Sequence, residues 1–232
     1  MELKEKVLDK GFVQVIDCLG TDLTVANSAR VSFGKRKDKY DTGDERLVRY
    51  LAKHKHFSPF RHLIVQFHIK APEFVTRQLY KHVVGIETTS SSITKDHAWN
   101  EVSQRYVSVD EFYVPEVYRA QSEDSKQASS GKIKEQEEAA EAYTKAIQIG
   151  KFYYEKLLEL GVAKEQARAL LPLSCYTEFY WTASFQAICN FIELRDKPDA
   201  QWEIREYAKV LKKLLHELYP ITTKVWENIY WD

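Results

Sequence analysis

The segment FVTRQLYKHVVG carries side chains that suit phosphate binding at helical spacing. Arg77 and Gln78 precede Lys81 and His82 by about one turn, which collects an amide, an ammonium and an imidazole at one end of a predicted helix. Charged donors make strong hydrogen bonds to phosphate oxygens. The segment therefore predicts a local phosphate-binding site.

Other groups that often carry catalysis are interpreted as structural. Four histidines lack an established metal-ligand spacing, so we expect no metal: His54, His56, His62 and His68. Cys175 lies in LSCYTEFYW, which is typical of a packing segment at a helix start, and Cys18 and Cys189 are likewise expected to be small apolar fillers. Ser103 has no adjacent histidine base, so we expect it to orient a substrate rather than attack it.

The composition favours one domain that spans residues 1–232. A chain of 232 residues, 44% hydrophobic and 13% aromatic, can bury a sizeable core. The 34 basic and 34 acidic side chains cancel, so neither a nucleic acid polymer nor a membrane is an expected partner. The three cysteines fit no disulfide framework, and no long apolar run occurs, which predicts a cytoplasmic protein.

In the first half, periodicity predicts alternating strands and helices. The predicted elements are a strand at 12–20, a helix capped by Asp22 or Thr24 that ends at Val31, a helix at 46–55, a strand at 62–70, a helix from Ala71-Pro72, a long loop at 85–99 and a strand at 104–114. The strand at 62–70 places Leu63, Val65, Phe67 and Ile69 on one face.

The second half is predicted to be almost wholly helical after a polar stretch at 121–132 that is typical of an internal linker. The predicted helices are 135–160, 163–171, 177–195, 199–218 and 221–232. One of them has an apolar stripe that is typical of a core or subunit interface: Tyr207, Val210, Leu211, Leu214, Leu215 and Leu218. We therefore predict an α+β fold, a mixed sheet-and-helix core with a largely helical second half. No dinucleotide-binding or P-loop motif is present.

The chain resembles one known family along most of its length. FVTRQLYKHVVG and WNEVSQRY together resemble the split signature of the flavin-dependent thymidylate synthases, commonly RHRxxSxNExSxR after an RQ pair. Further blocks match in order: HKHFSPFRH, HIKAPEFV, QARALLPL, CYTEFYWTASFQAICNF and ELRDKPDAQWEI. The resemblance covers residues 10–220 and is specific because several separated blocks agree.

The resemblance implies reductive methylation of dUMP to dTMP. Methylenetetrahydrofolate would donate the carbon, and FAD reduced by NADPH would supply the hydride, without an enzyme cysteine as nucleophile. It also implies a homotetramer whose active sites lie between subunits.

Residue by residue, the resemblance implies two binding sites. The implied dUMP contacts are Gln78, Leu79, Tyr80, Lys81, Glu101, Val102, Ser103, Gln104, Arg105, Arg168 and Arg195. The implied FAD contacts are Ser58, Lys81, His82, Val83, Glu101, Ser184, Phe185, Gln186 and Asn190, with His56 near flavin and folate. Arg105 and Arg168 would clamp the phosphate, and Arg195 would favour ionisation at N3 of the pyrimidine as the catalytic residue.

The chain also departs from the common motif. Lys81 and Val83 stand where arginines are usual, Ser184-Phe185-Gln186 stands where many members read NAR, and a common histidine is replaced near Asp199. We therefore predict that FAD is held weakly or through altered contacts. The insertion at 87–98 is predicted to be a lid over the flavin or a subunit contact.

Two other classes of protein are weighed against the enzyme. The missing arginine is compatible with a catalytically impaired relative that binds nucleotide or flavin. A purely helical interaction protein is disfavoured, because Gln78, Arg105, Arg168 and Arg195 would then have no shared reason to be present.

Overall fold

A five-stranded antiparallel sheet lies at the centre of the computed structural model. The structure describes residues 3–80, 82 and 98–231. The sheet has the order β1-β2-β3-β7-β4, and β5 and β6 form a separate hairpin. The strands are β1 Lys4–Val7, β2 Gly11–Leu19, β3 Ile64–Pro72, β4 Trp99–Glu101, β5 Arg119–Gln121, β6 Ser129–Lys132 and β7 Tyr176–Ser184.

Helices pack against this sheet and against one another. They are α1 Asp22–Arg30, α2 Thr42–Lys53, α3 Glu73–Leu79, α4 Gln136–Glu159, α5 Lys164–Ala167, α6 Phe185–Arg195, α7 Trp202–Leu218 and α8 Pro220–Tyr230. Short 3₁₀ helices occupy Val31–Phe33, Ser58–His62 and Arg168–Leu170. The predicted α+β class is confirmed. Among the residues that the structure describes, every helix is too short or too polar to cross a lipid bilayer.

Strand β3 is the central strand of the sheet and follows its predicted alternation. It pairs with β7 without interruption from Ile64↔Ser184 to Pro72↔Tyr176. The predicted inner face is confirmed, because Val65, Phe67 and Ile69 have no exposed surface. Burial of such side chains stabilises the fold by about 1.5–3 kcal/mol each.

The apolar stripe of α7 belongs to the core, which is one of the two roles that the sequence predicted for it. Tyr207, Leu211, Leu214 and Leu215 are fully buried in the same cluster as β3 and β7, and Val210 and Leu218 pack against that cluster. The Tyr207 hydroxyl donates a 2.7 Å hydrogen bond to the Lys70 carbonyl oxygen, which ties α7 to β3.

Polar side chains set the starts of the first two helices. The Thr24 hydroxyl accepts a 2.9 Å hydrogen bond from the Thr21 N–H, so Thr21 rather than Asp22 or Thr24 is the N-cap of α1. Asp22 instead accepts from the Thr222 N–H at 2.7 Å and caps α8. Helix α2 begins at Thr42, earlier than predicted, because the Asp41 carboxylate accepts from the N–H groups of Gly43 and Asp44.

The predicted helix at 177–195 is wrong, because a strand and a helix share this segment. Thr177, Phe179 and Trp181 point into the core with a period of two, as β7, and the chain enters α6 only at Phe185. The Ser184 hydroxyl accepts a 3.2 Å hydrogen bond from the Ala187 N–H and caps α6. After the β5–β6 hairpin, the regular structure is therefore helical except for the one long strand β7.

Three other predicted elements differ from the structure. The segment at 104–114 is not a strand, since it turns after Ser103 and makes only an isolated bridge between Phe112 and Cys175. The polar stretch at 121–132 is not a linker, because it contributes to the β5–β6 hairpin. The helix predicted at 163–171 is divided between α5 and a 3₁₀ helix.

Candidate active site

Several predicted site residues lie around Glu73, a half-buried carboxyl group on the first turn of α3. The Gln104 side-chain amide donates a 3.0 Å hydrogen bond to Glu73 Oε1. Burial, followed by the charge of Glu101, raises the pKa of Glu73, while the guanidinium groups of Arg77 and Arg168 oppose this increase. Since a charge acts appreciably only over a short distance, Glu101, Gln104 and Arg168 lie together around α3. Glu73 itself was not predicted as a site residue.

Strand β7 anchors the segment that follows β4. The Thr177 hydroxyl donates to Glu101 Oε1 at 2.8 Å, and the Trp99 indole N–H donates to Glu101 Oε2 at 3.2 Å. The Val102 N–H donates to the Glu178 carbonyl oxygen at 2.9 Å. These bonds fix the Glu101 carboxylate, although Glu101 is an exposed residue.

The segment then turns at Ser103 and presents a guanidinium group to solvent. The N–H groups of Tyr106 and Val107 both donate to the Ser103 carbonyl oxygen. Arg105 Nε donates to Ser103 Oγ at 3.2 Å. Ser103 therefore orients Arg105, and in the part of the chain that the structure describes no histidine hydrogen-bonds its hydroxyl. Beside this turn, Val102 and Gln104 line a cleft of 300 Å³ with Lys70 and Tyr176.

Gln78 heads a chain of hydrogen bonds that links α3 to α7. Its side-chain amide donates to Gln201 Oε1 at 2.8 Å, and Gln201 Nε2 donates to Glu203 Oε2 at 3.0 Å. The other oxygen of the buried Glu203 carboxylate accepts from the Tyr113 hydroxyl at 3.2 Å and from Arg119 at 3.4 Å. Gln201 and Glu203 were not predicted as site residues, although both lie in the matching block ELRDKPDAQWEI.

The predicted nucleotide contacts at the end of α3 differ in their exposure. The Leu79 side chain is fully buried in the core, so only its main chain can reach a ligand. Tyr80 is 45% exposed and contacts Trp99 edge-on, with ring centroids 5.9 Å apart. Lys81, Val83 and the insertion at 87–97 lie outside the described residues.

Arg195, in the last turn of α6, is close enough to His82 for its charge to act on the imidazole. Arg195 Nε is buried and, within the described residues, has no hydrogen-bond partner. Burial, followed by the positive charge of Arg195, lowers the pKa of His82 to about 4, so the imidazole is neutral at pH 7. The His82 ring contacts Phe191 edge-on at 5.1 Å. A buried donor without a partner is costly, which fits a guanidinium group that binds a ligand.

The start of α6 contains the residues that replace the usual NAR motif. The Phe185 side chain is fully buried against Phe60 and Trp226, so its ring belongs to the core. Ser184 is also buried and caps the helix, whereas Asn190 is half-buried. Gln186 accepts a 2.7 Å hydrogen bond from Arg61 Nε. Arg61 was not predicted as a site residue, although it lies in the block HKHFSPFRH.

His56 and Ser58 line a cleft of 400 Å³ beside α1 and α2. Exposed aromatic rings border this cleft, namely Phe33 (79% exposed) and Tyr50 (55% exposed). Tyr50 also packs against the His54 ring at 4.3 Å. Within the described part of the chain, no three His, Cys, Asp or Glu residues are grouped so that they could hold a metal ion.

The cysteines do not offer a reactive thiolate in the core. Burial, followed by the charge of Glu73, raises the pKa of Cys175 to about 11. Burial also raises the pKa of Cys189. Both thiols therefore stay protonated at pH 7 and act as core residues. Cys18 is exposed, so the prediction that it is an apolar filler is wrong.

Comparisons with known proteins agree over nearly the whole chain. The model of the family described as thymidylate synthase complementing protein matches residues 14–221. The flavin-dependent thymidylate synthase of Thermosipho melanesiensis is 42% identical over 220 residues, which cover 94% of this chain and 90% of that protein. The enzyme of the same description from Thermus thermophilus is 41% identical over 223 residues, which cover 96% of this chain and 77% of that protein.

A solved structure gives an independent comparison of the fold. The crystal structure of the UMP/dUMP methylase PolB from Streptomyces cacaoi, bound with 5-Br dUMP, has a TM-score of 0.81 with this chain at 28% sequence identity. The match covers 97% of this chain and 98% of that one.

Proposed function

Since the chain belongs to the thymidylate synthase complementing protein family, the flavin-dependent thymidylate synthases, we propose that it methylates dUMP to dTMP. Methylenetetrahydrofolate is the carbon donor, and NADPH and FAD are the sources of reducing equivalents. The observation that carries this proposal is the convergence of Glu101, Gln104 and Arg168 on the first turn of α3, although they are far apart in sequence.

The nucleotide lies where this group meets the turn at Ser103. Arg105 and Arg168 bind the phosphate, because guanidinium forks match its oxygens and both side chains are exposed. Gln78, Tyr80, Glu101 and Ser103 supply further polar contacts. The remaining members of the proposed nucleotide site are Leu79 through its main chain, Lys81, Val102, Gln104 and Arg195.

Arg195 is the proposed catalytic residue. Its cation lies beside the pyrimidine and stabilises negative charge that develops when N3 ionises. The buried Nε, which has no hydrogen-bond partner among the described residues, leaves a donor for that purpose. Because the Cys175 thiol stays protonated, the chain offers no thiolate there, in agreement with a reaction that uses no cysteine nucleophile.

FAD supplies the hydride when it is bound. The residues that would hold it are Ser58, Lys81, His82, Val83, Glu101, Ser184, Phe185, Gln186 and Asn190, with His56 beside the flavin and folate. The neutral His82 ring and the half-buried Asn190 amide fit an aromatic and polar cofactor. Phe185 fits only through its main chain, because its ring is in the core.

The active protein is a homotetramer in the cytoplasm, with active sites between subunits. Exposed apolar side chains on one face of α4 support self-association, among them Ile149 (58% exposed) and Phe152 (60% exposed). The cysteines are all free, which suits a reducing compartment.

The test is a visible spectrum of the purified protein followed by an assay. NADPH-dependent conversion of dUMP to dTMP with methylenetetrahydrofolate is measured with and without added FAD. Turnover is expected, and a need for added FAD would reflect the altered flavin contacts. Bound flavin without any turnover would contradict the proposal and identify an impaired relative instead.

A further inference from the structure

A second cleft, of 460 Å³, lies next to the one that contains His56 and Ser58. It is lined by Thr24, Asn27, Ser28, Val31, Lys35, Arg36 and His62. Ser28 borders both clefts, and the 3₁₀ helix Ser58–His62 contributes its first residue to one and its last to the other. An extended ligand can therefore run from one cleft into the next.

The lining of this second cleft is basic. Lys35, Arg36 and His62 are exposed, and among the residues that the structure describes no acidic side chain lines this cleft. Within the described part of the chain, neither Lys35 nor Arg36 forms an ion pair. The Lys35 ammonium and the Arg36 guanidinium are therefore available to bind an anion in this cleft.

The neighbouring cations differ, because carboxylates neutralise them. Arg30 pairs with the buried carboxylate of Asp44. Lys37 Nζ lies 2.5 Å from Asp41 Oδ2 and 3.1 Å from Asp44 Oδ2. These pairs anchor the loop rather than leave charge for a ligand.

The loop that carries the free cations is also fixed by main-chain contacts. Asn27 Nδ2 donates to the Lys37 carbonyl oxygen at 2.8 Å, and the Lys37 N–H donates to Asn27 Oδ1 at 3.0 Å. Gly34 adopts a positive φ of 61°, which permits the turn before Lys35. Since the backbone is held, a ligand here would not have to order the loop.

We propose that this basic cleft binds the anionic tail of a co-substrate whose reacting ring lies in the adjoining cleft. The tail carries phosphate or carboxylate groups, which Arg36 can grip with its fork and Lys35 as a point charge. Two co-substrates of the proposed function have such tails: the phosphates of NADPH and the glutamate carboxylates of the folate. The inference rests on the proposed function and extends it to the recognition of these tails.

The experiment compares the FAD-loaded protein with Lys35→Ala/Arg36→Ala. Isothermal titration calorimetry measures the affinity for NADP⁺ against NAD⁺, which lacks one phosphate, and for pentaglutamyl against monoglutamyl folate. The matched control, Lys39→Ala/Lys53→Ala, also removes two exposed cations but does not touch the cleft. Unchanged unfolding midpoints show that each variant is folded.

We expect one of the two tail-dependent preferences to fall by about tenfold to a hundredfold in Lys35→Ala/Arg36→Ala and to persist in the control. Loss of the preference for NADP⁺ identifies a phosphate tail, and loss of the preference for pentaglutamate identifies a carboxylate tail. Preferences that stay within twofold, or that fall equally in the control, overturn the proposal. A loss confined to FAD affinity also overturns it, because the cleft would then belong to the cofactor.

These titrations need no turnover, so they separate the two proposals. If the protein makes no dTMP but shows the preference that depends on Lys35 and Arg36, the proposed anion cleft is supported and the proposed synthase function is contradicted. If the protein is an active synthase without this preference, the proposed function is supported and the proposed anion cleft is contradicted.

Discussion

At the scale of single residues, Arg195 and Arg168 differ in what surrounds them. Arg195 has a buried Nε without a hydrogen-bond partner in the described residues, at the end of α6. Arg168 is exposed and acts on the Glu73 carboxyl from the start of a 3₁₀ helix. A partly buried cation suits the stabilisation of charge during the reaction, and an exposed one suits the capture of a phosphate.

We therefore predict different kinetic effects for the two arginines. Arg195→Ala lowers kcat by about 10²–10³-fold, because it removes an electrostatic contact to a developing anion, and largely spares FAD binding. Arg168→Ala weakens dUMP binding by about tenfold to a hundredfold, because charge-assisted hydrogen bonds are lost. Steady-state kinetics and FAD titration check both. Arg49→Ala, which removes an exposed arginine of α2, is the control.

Two outcomes would contradict the roles assigned to Arg195 and Arg168. If Arg195→Ala turns over at the wild-type rate, Arg195 is not catalytic. If Arg168→Ala binds dUMP with unchanged affinity, Arg168 does not bind the phosphate.

His82 provides a prediction about pH. Burial, followed by Arg195, lowers its pKa from 6.5 to about 4 in the folded protein, so between these values the unfolded chain binds more protons. The His82 contribution to stability is therefore complete above pH 6.5 and is lost as the pH falls towards 4. We expect wild type to lose more unfolding free energy than His82→Asn between pH 7 and 4.5 in urea titrations. Parallel losses in the two proteins would count against the lowered pKa.

At the scale of elements, the hydrogen bonds from Gln78 to Gln201 and Glu203 join two helices that flank the proposed nucleotide site. Because the Gln78 amide donates to Gln201, its carbonyl oxygen is oriented for a second partner. Glu203 in turn holds Gln201 and is itself held by Tyr113. Helix α7 thus positions a side chain of α3.

We predict that Gln201→Ala raises KM for dUMP by about fivefold to tenfold, since the loss of a neutral hydrogen bond costs about 1 kcal/mol. FAD affinity should not change. Gln201→Glu/Glu203→Gln, which keeps an acceptor for Gln78 and supplies the 201–203 hydrogen bond with a donor from the other side, should restore most of the affinity, a rescue that a purely structural role would not give. Glu206→Gln on the same helix is the control. Equal KM values for Gln201→Ala and wild type would exclude this positioning role.

Individual elements show what could be predicted from the sequence. Strand β3 was found because Val65, Phe67 and Ile69 alternate with polar residues and face the core, as Leu63 does. Strand β7 was missed although Thr177, Phe179 and Trp181 also alternate. The exposed aromatic Tyr180 blurs that alternation, and the chain enters α6 at Phe185 without a Gly or Pro to mark the boundary.

The strand predicted at 104–114 is wrong for a different physical reason. It is rich in strand-forming residues such as Val107, Val109 and Tyr113, but only Trp99–Glu101 pairs with β7 before the chain turns at Ser103. Tertiary pairing overrides local propensity here. The contacts of Gln78 with Gln201 and of Arg61 with Gln186 depend on that tertiary arrangement as well, so periodicity could not reveal them.

At the scale of the whole molecule, a chain without net charge still holds local concentrations of one sign. Arg105 contacts Ser103, Arg168 acts on the Glu73 carboxyl, and Lys35 and Arg36 line a separate cleft. Such local fields attract small anions without drawing the protein to nucleic acid or to anionic membranes. This distribution agrees with a protein that handles several anionic small molecules at once.

The exposed apolar face of α4 supports the last prediction, which concerns assembly. Ile149, Phe152 and Tyr153 recur at helical spacing, Leu160 is the C-cap residue, and all four are 55–69% exposed, whereas Tyr154 on a different face is buried. Contiguous exposed apolar residues on a helix are typical of an interface between subunits. We expect Ile149→Glu/Phe152→Glu to dissociate the proposed tetramer, because each carboxylate buried in the interface would lack a partner.

Light scattering after size-exclusion chromatography measures the assembly of wild type and variants. Thr144→Glu/Gln148→Glu adds the same charge on exposed polar positions of α4 and should remain tetrameric. Because active sites are proposed to lie between subunits, the dissociated variant should also lose dTMP synthesis while keeping its helical circular dichroism. A tetrameric, active Ile149→Glu/Phe152→Glu protein would place the subunit interface elsewhere and leave the apolar face of α4 without that role.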